Sequence, residues 1–367
     1  MEGLGLSFWS GKRVLLTGHT GFKGSWMALW LLRLGARLTG YALEPATKPA
    51  LFEQLGLAGE FDSRIGDIRD EQAVRRLIDE VRPGVVFHFA AQPLVLASYE
   101  DPVGTFAANV MGAAHVLDAL RRLDQPCAAV MITTDKVYEN LNWEQRYRES
   151  DALGGHDPYS ASKAASEIAI SSWRRSFLAA RGVHAASARA GNVIGAGDWA
   201  AYRIVPDLVR SLLAGEPLPV RNPYSVRPWQ HVMEPLGGYL ALAEALATSH
   251  DPRLQDAFNF GPAPNADRSV RELVEAALAA WPGKTHGWKD ISSPDAPHEA
   301  HYLALSVDRS RARLGWNPRW DFSRTVKETM TGYHAGAGAS QSELRELLLG
   351  AIARYETENR HPESLPC

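Results

Sequence analysis

The sequence predicts a doubly wound α/β fold, in which helices cover both faces of a parallel β-sheet, followed by a smaller C-terminal lobe. Short apolar segments rich in valine and isoleucine alternate with helical segments from residue 13 to residue 191, and a glycine-rich loop directly follows the first of them. Such a pattern is typical of parallel strands buried on both faces. A chain of 367 residues has room for two lobes at about 150 residues per domain.

The predicted elements alternate in chain order, and glycines, prolines or capping side chains mark their ends. The predicted strands are RVLLTG (13–18), RLTGYAL (37–43), a third strand at SRIGDI (63–68), VVFHFAA (85–91), CAAVMITT (127–134) and HAASARAGNVIG (184–195). The predicted helices are GSWMALWLLRLG (24–35), RDEQAVRRLIDEVRPG (69–84), DPVGTFAANVMGAAHVLDALRRL (101–123) and DPYSASKAASEIAISSWRRSFLAARG (157–182).

Beyond residue 191 the composition changes, because prolines and tryptophans become frequent. We expect residues 1–191 to form the first lobe and residues 232–260 to return to it as a helix and a strand. The segments 192–231 and 261–335 are expected to form the smaller lobe. A flexible joint, an amphipathic helix and a tail are predicted for residues 336–367.

Composition excludes several classes of protein. A formal net charge of −3 creates no global field for nucleic acid or an anionic membrane. The two cysteines, Cys127 and Cys367, give no disulfide framework, which favours the reducing cytoplasm. The start of the chain lacks an apolar signal core, and the run WMALWLL (26–32) is far shorter than the ~20 residues of a membrane span. The histidines show no ligand spacing, so no metal site is predicted.

The glycine loop TGHTGFKGSW (17–26) predicts a dinucleotide site. Gly18, Gly21 and Gly24 are spaced so that the first permits a tight turn, the second lets a pyrophosphate approach the backbone, and the third lets the helix pack on the strand. Free amides at the start of that helix would face the phosphates. His19 puts bulk and charge into this loop and is expected to crowd the pyrophosphate, whereas Lys23 either reaches a phosphate or points to water.

Two carboxylates follow the next strands. Glu44 is placed to accept a hydrogen bond from the adenosine ribose, which favours NAD over NADP, although a solvated loop acid is the alternative. Asp67 follows the third strand and is a candidate to accept from the adenine amino group, with a helix N-cap as the competing role.

The segment HDPYSASK (156–163) combines a tyrosine and a lysine one helical turn apart. Asp157 is a candidate N-cap and Pro158 suits the first helical position, so Tyr159 and Lys163 fall on one face of the helix. Deprotonating a tyrosine near neutral pH requires about 4 kcal/mol of charge stabilisation. Lys163 and an oxidised nicotinamide ring are both cationic and would supply it, making Tyr159 a base for a sugar hydroxyl. An exposed surface pair is the alternative.

These features together resemble the extended short-chain dehydrogenase/reductase superfamily, whose members have a Rossmann-type fold. The motifs are the glycine loop, HFAAQ (88–92), DPVGTFAANVMG (101–112) and the Tyr159/Lys163 pair. Within that superfamily GHTGFKGSW (18–26), FHFAAQPLV (87–95), TTDKVYEN (133–140) and RNPYSVRPWQHV (221–232) resemble the CDP-glucose 4,6-dehydratases, from about residue 8 to about residue 330. The resemblance implies NAD as cofactor and a nucleotide sugar, CDP-glucose, as substrate, for deoxysugar and surface-polysaccharide synthesis. It implies the cofactor contacts Gly18, His19, Gly21, Phe22, Lys23, Glu44, Asp67, Ile68, Ala90, Ala91, Tyr159 and Lys163.

The resemblance also assigns roles to the segment TTDK (133–136). A 4,6-dehydratase oxidises C4 of the sugar, removes the C5 proton, expels the C6 hydroxyl and returns the hydride to C6. Thr134 then hydrogen-bonds the C4 oxygen, Asp135 is the acid for the departing hydroxyl and Lys136 is the C5 base. Relatives that act on dTDP-glucose usually carry glutamate in place of Lys136. A carboxylate beside an ammonium group starts as a poor acid and its neighbour as a poor base, so the pair must first exchange or lose a proton.

By the same resemblance, substrate contacts fall in the smaller lobe. Asn192 and Arg227 match residues that hold the sugar-side diphosphate. Arg203 and Arg221 are further candidates, with surface charge as the alternative, and His231 is expected to brace its loop. A homodimer through a four-helix bundle is implied. The competing functions are a nucleotide-sugar epimerase, a dehydratase for another nucleotide, and a sensor that binds NAD without turnover.

Overall fold

A computed structural model of the chain describes residues 6–263, 266–293 and 302–358. The predicted tail beyond residue 358, with Cys367, lies outside the described residues. The strands in chain order are β1 Arg13–Thr17, β2 Arg37–Ala42, β3 Asp62–Ile65, β4 Val85–His88, β5 Cys127–Ile132, β6 Val183–Ala190, β7 Val193–Ile194, β8 Leu218–Val220, β9 Val226–Pro228, β10 Gln230–His231, β11 Ala257–Phe260, β12 Asp267–Ser269 and β13 Trp288–Asp290.

Seven of these strands form one parallel sheet in the order β11-β6-β5-β4-β1-β2-β3. The order reverses between β1 and β4, which are hydrogen-bonded neighbours although two strands separate them in the chain. All seven strands point the same way, so their carboxyl ends share one edge of the sheet. The predicted doubly wound parallel sheet is confirmed, and ligands bind at such a reversal point in open α/β sheets.

Helices cover both faces of this sheet. In chain order, the helices of the described residues are α1 Leu6–Trp9, α2 Phe22–Arg33, α3 Leu51–Gln54, α4 Glu71–Val81, α5 Val95–Glu100, α6 Pro102–Phe106, α7 Gly112–Leu120, α8 Pro158–Trp173, α9 Ile204–Ala214, α10 Met233–Thr248, α11 Val270–Ala280, α12 Asp308–Leu314, α13 Phe322–Gly336 and α14 Gln341–Thr357. In β1, Val14 and Leu16 point into the core that contains α2, α10 and α14, while Leu15 points into the core that contains α4, α7 and α8. This alternation follows from the two-residue period of a strand.

The predicted helix over residues 101–123 is a composite. A π-helical turn, Ala107–Met111, joins α6 to α7, and the helix ends at Leu120 because the chain must turn to enter β5 at Cys127. By length and composition Pro102–Leu120 is the one described stretch that could cross a bilayer, and half of its most apolar window is buried inside the protein. Buried core helices of this kind pass the same test.

The segments after β6 divide between two places. Helix α10 packs against β5 and β6, and β11 pairs with β6 at the edge of the sheet. Three pairs of short strands, β7 with β10, β8 with β13 and β9 with β12, lie outside the main sheet. Helix α14 packs on α2, where Glu356 accepts a hydrogen bond from Trp30 Nε1 at 2.9 Å. Helix α13 includes Gly336, so the predicted joint is shorter than expected.

The reversal point is closed by a direct contact between two loops. Thr17 Oγ1 lies 2.9 Å from His88 Nδ1 and accepts a hydrogen bond from the amide of Ala90 at 3.2 Å. Gly18 has φ +76°, and a Cβ added to it would lie 2.7 Å from the Ala90 nitrogen. Glycine is therefore required at residue 18 both for its conformation and for the contact.

We predict that Gly18→Ala lowers the thermal unfolding midpoint more than Gly11→Ala does. Both glycines have left-handed φ values, +76° and +69°, but a Cβ on Gly11 meets no atom within 4 Å. Each change costs about 1–2 kcal/mol of backbone strain, and the steric clash at residue 18 adds about 1–3 kcal/mol. Equal midpoints in calorimetry of the two variants would contradict the contact.

Candidate active site

The carboxyl edge of the sheet opens into a cavity of about 890 Å³ between the sheet and segments that follow β6. This volume is in the upper range of small-molecule sites. The predicted site residues that line it are Phe22, Lys23, Thr134, Asp135, Lys136, Tyr159, Asn192, Arg203, Arg221 and Arg227. The predicted site residues outside its lining are Gly18, His19, Gly21, Glu44, Asp67, Ile68, Ala90, Ala91, Lys163 and His231.

The segment Thr134–Val137 forms a short turn directly after β5. Thr134 caps a 3₁₀ turn over Asp135–Val137, and its hydroxyl donates a hydrogen bond to Asp135 Oδ1 at 3.0 Å. The other carboxylate oxygen, Oδ2, is buried and has no hydrogen-bond partner within the part of the chain that the structure describes. It packs on the backbone of Gly191, where an added Cβ would lie 1.8 Å from it. The acid predicted from the sequence is thus enclosed by protein, while its neighbour Lys136 is less buried.

Tyr159 begins the helix that flanks this turn. The predicted cap is confirmed, because the Asp157 side chain accepts from the amide of Ser160 at 2.9 Å and Pro158 is the first helical residue. Burial raises the pKa of Tyr159 to about 12, a hydrogen bond with Thr134 and the charge of Arg203 lower it, and the charge of Asp135 raises it. The free protein therefore holds Tyr159 as a neutral phenol.

Lys163 lies one turn further along α8. Its Nζ donates a hydrogen bond to the carbonyl oxygen of Ile132, the last residue of β5, at 3.2 Å. Burial is the main cause that lowers the pKa of Lys163 to about 7. The charge of Lys23 contributes to this shift, and the charge of Glu167 opposes it. This lysine is consequently poised to change its charge near neutral pH.

Lys23 and Arg203 bring additional positive charge to the cavity. Arg203 Nη1 forms an ion pair with Asp198 at 2.8 Å, and only 6% of the Asp198 side chain is exposed. Burial lowers the pKa of Lys23 to about 8, with opposing contributions from Arg203 and from Asp135 and Asp198. Lys23 is half-buried and lines the cavity, and its predicted contact with a phosphate stays a prediction.

The expectation for His19 needs correction. Its ring is 0% exposed and lies edge-on to Phe52 and Phe61, with Nε2 2.8 Å from Ser63 Oγ. Burial lowers the pKa of His19 to about 4, so the ring is neutral near pH 7. The His19 ring fits beside Gly40 only because residue 40 has no side chain. A Cβ added to Gly40 would lie 2.6 Å from the His19 ring. The side chain of His19 therefore brings neither bulk nor charge into the glycine loop, and His19 contributes only its backbone to that loop.

The candidates after β2 and β3 have separate environments. Glu44 is exposed after the end of β2. Asp67 forms an ion pair with Arg69 at 2.6 Å, and the N-cap of α4 is Asp70, so the capping role considered for Asp67 is wrong. Ile68 is 6% exposed and packs in the core beneath this loop.

The candidates that follow β6 also have separate environments. Arg227 is 3% exposed in β9 and reaches the cavity, whereas Arg221 lies over the ring of Tyr202 at 5.6 Å. Asn192 has φ +38° and lines the same wall. His231 is buried at 4.7 Å from the ring of Trp320, and burial lowers its pKa to about 3. A neutral, enclosed His231 agrees with the bracing role expected for it.

Sequence reasoning missed Asn109. Its side chain bonds both backbone groups of Gln92, accepting from the amide at 2.8 Å and donating to the carbonyl at 3.1 Å. It also donates to Ser162 Oγ at 2.9 Å, between Tyr159 and Lys163 on α8. It thereby ties the loop after β4 to the helix of the tyrosine. A lone amide in an apolar helix was the available signal, because a buried amide needs partners.

Comparison with known proteins places the chain in a family. Residues 15–329 match the family model described as GDP-mannose 4,6 dehydratase. The CDP-glucose 4,6-dehydratase of Salmonella typhimurium is 46% identical over 325 residues, which cover 87% of this chain and 90% of that protein. The dTDP-glucose 4,6-dehydratase of Xanthomonas campestris pv. campestris strain ATCC 33913 is 29% identical over 339 residues, covering 87% of this chain and 92% of that protein.

Solved structures agree on the fold. The UDP-glucose 4-epimerase of Thermus thermophilus in complex with NAD superposes with a TM-score of 0.74 at 27% identity, covering 89% of this chain and 99% of that one. The dTDP-glucose 4,6-dehydratase of Streptomyces venezuelae with NAD bound gives 0.75 at 23% identity, covering 90% and 99%. The predicted resemblance to extended short-chain dehydrogenases/reductases is therefore confirmed, and the chain belongs to the GDP-mannose 4,6 dehydratase family.

Proposed function

We propose that the protein is an NAD-dependent CDP-glucose 4,6-dehydratase, which converts CDP-D-glucose to CDP-4-dehydro-6-deoxy-D-glucose and water. The observation that carries this proposal is that Asp135 and Lys136 line the same cavity as Tyr159. Plain hydride transfer needs only the tyrosine, whereas elimination of water needs a second acid and base near C5 and C6. The 46% identity to the Salmonella typhimurium enzyme supports CDP-glucose as the substrate.

The residues of the glycine loop suit a dinucleotide. A Cβ on Gly24 would lie 2.0 Å from the Gly18 carbonyl oxygen, so the start of α2 packs directly on the turn. A Cβ on Gly21 would meet only that oxygen, at 3.5 Å, which leaves its outer side open to a phosphate. Gly18, Gly21 and the first amides of α2 would hold the pyrophosphate. NAD, when bound, accepts a hydride from C4 of the sugar and returns it to C6.

The chain's own residues would divide the proton transfers. Tyr159 takes the proton of the C4 hydroxyl, and Thr134 orients that oxygen. Because burial raises the pKa of Tyr159 to about 12 in the free protein, cationic charge near the phenol must stabilise its ionised form; Lys163 and Arg203 are the protein's sources. Lys136 then removes the C5 proton and Asp135 protonates the leaving C6 hydroxyl.

The smaller lobe, formed by residues 192–231 and 261–335 in this proposal, would bind the nucleotide. Arg227 is buried, whereas 35% of the Arg203 side chain is exposed; both are cations at the cavity wall and suit the diphosphate, for which arginine offers paired donors. Arg221 and Asn192 are further contacts on the same wall. A cytoplasmic location belongs to the same proposal, because Cys127 is a free, buried thiol.

We also propose a homodimer, because exposed apolar side chains are concentrated on one pair of helices. Val103 is 79% exposed and Met111 50% exposed on the composite helix, while Ile168 on α8 is 62% exposed. The two helices pack against each other on the outer face of the first lobe. Pairing with a second copy would make a four-helix bundle and remove this apolar surface from water.

The proposed activity predicts loss of one water from CDP-glucose. Incubation of the purified protein with NAD and a panel of CDP-, dTDP-, GDP- and UDP-sugars, followed by mass spectrometry, should give a product lighter by one water for CDP-glucose. A product of unchanged mass with altered stereochemistry would instead identify an epimerase. Absence of turnover on the whole panel would favour a sensor.

We predict that Lys136→Met abolishes product formation without abolishing C4 oxidation. The methionine keeps the length of the side chain but cannot accept the C5 proton. In D₂O the variant should therefore fail to incorporate deuterium at C5 of the sugar, as read by NMR. Lys327→Met, which changes an exposed lysine of α13, is the control and should behave as the unsubstituted protein. Normal product formation by Lys136→Met would rule out its role as the base.

The dimer predicts that Ile168→Asp produces monomers. A charge at the centre of a four-helix interface is costly, because it loses water without gaining a partner. Sedimentation velocity should show half the mass of the unsubstituted protein. Leu213→Asp, a change at a side chain that is 55% exposed on α9, should leave the mass unchanged. A dimer that persists in Ile168→Asp would place the interface elsewhere.

A further inference from the structure

A buried ion pair lies directly beneath the proposed acid and base. Glu167 on α8 and Arg189 on β6 are each 4% exposed at the side chain, and Arg189 Nε lies 2.9 Å from Glu167 Oε1. A second bond joins Arg189 Nη2 to Oε2, also at 2.9 Å. The guanidinium and the carboxylate therefore meet through two parallel hydrogen bonds, the strongest arrangement for these groups.

The ion pair holds Thr133, the residue before the turn Thr134–Val137. Thr133 Oγ1 donates to Glu167 Oε1 at 2.5 Å, and Ser187 Oγ donates to Oε2 at 2.6 Å. Each carboxylate oxygen thus accepts one bond from Arg189 and one from a hydroxyl. Burial alone raises the pKa of Glu167, but the charge of Arg189 and these hydrogen bonds bring it below its usual value. The carboxylate is consequently charged and fully paired.

The same pair holds the residue after the turn. Arg189 Nη1 donates to the hydroxyl oxygen of Tyr138 at 2.9 Å, and that hydroxyl donates to Asn259 Oδ1 at 2.7 Å. Asn259 in turn donates to the carbonyl oxygens of Tyr147 and Ser306 at 3.0 Å and 3.1 Å. Tyr138 is 2% exposed and Asn259 0%. The turn that carries Asp135 and Lys136 is therefore anchored at both ends by one ion pair, through Glu167 at Thr133 and through Arg189 at Tyr138.

Stability alone does not account for this arrangement. A buried ion pair contributes little net free energy compared with apolar side chains of the same volume, because both ions must lose their water. What it supplies is direction, since each bond accepts only a narrow range of geometry. The anchored element is the one whose position decides the proposed chemistry, and a displacement of 1 Å at a reacting group can cost about 10²-fold in rate.

We propose that Glu167, Arg189 and Tyr138 are positioning residues, which hold Asp135 and Lys136 at C6 and C5 of the sugar. This inference rests on the proposed dehydratase function. Tyr159 has its own anchor, because its amide donates to Ser98 Oγ at 3.1 Å. Thr134, which orients the C4 oxygen, follows Thr133 and stays held through Glu167 when the Tyr138 hydroxyl is removed. Releasing Tyr138 should therefore disturb the C5 and C6 steps while C4 oxidation, which depends on Tyr159 and Thr134, continues.

The test is Tyr138→Phe, which removes one hydroxyl and keeps the ring. Its matched control is Tyr355→Phe, because Tyr355 is 0% exposed and donates to the buried carboxylate of Glu234 at 2.9 Å, in α14, outside the cavity lining. Three rates are measured in each. CDP-6-deoxyglucose, which has no C6 leaving group, reports C4 oxidation through NADH absorbance and C5 proton removal through deuterium uptake. CDP-glucose reports elimination.

We expect Tyr138→Phe to retain C4 oxidation within about two-fold of the unsubstituted protein and to lose roughly ten-fold or more in deuterium uptake and elimination, as a small displacement of the reacting groups implies. Tyr355→Phe should keep the ratio of the three rates. If all three rates fall together in Tyr138→Phe, or none falls, the positioning role is overturned while the proposed function stands. An unsubstituted protein that eliminates no water from CDP-glucose would overturn both.

Discussion

The contact between the glycine turn after β1 and the loop after β4 is the constraint on which the site depends. Thr17 and Gly18 meet Ala90 across the point where strand order reverses, and there is no room for a side chain between them. That closure brings the start of α2 beside the carboxyl ends of β4 and β5. A cofactor held by the first loop would then lie beside the turn Thr134–Val137 that follows β5, as the topology of open α/β sheets dictates.

A second feature of the site is the concentration of positively charged side chains at or near the cavity. Lys23 and Arg203 line the cavity together with Tyr159, Lys163 lies one turn further along α8, and the pKa of each lysine is lowered chiefly by burial. A cationic nicotinamide ring would add to this charge and favour the ionised phenol.

Hydrogen bonding differs between the carboxylate of Asp135 at the cavity and the buried residues behind it. At the cavity, Asp135 Oδ2 has no hydrogen-bond partner among the described residues. The groups directly behind it are saturated, as the bonds of Glu167, Arg189 and Asn259 show. The carboxylate oxygen without a partner can accept a hydrogen bond from a substrate, while the fully bonded buried groups keep the geometry of the turn from relaxing.

Local patterns in the sequence determined the elements and the main site motifs. The alternation of apolar segments with helices gave the strands that form the sheet, and the cap at Asp157 with Pro158 gave the start of α8. Such features depend on neighbours within a few residues, so periodicity and capping rules reach them. The same rules placed the Asp135–Lys136 pair at the end of a buried strand.

Only the tertiary structure decided where individual side chains point. The ring of His19 turns into the space beside Gly40, and Arg203, although more than forty residues from Tyr159 in the chain, comes close enough to affect its pKa. Sequence reasoning also had no access to the pairing of Glu167 with Arg189. These outcomes depend on strand order and on packing between distant segments, and a side chain follows the partners and space that this packing leaves it.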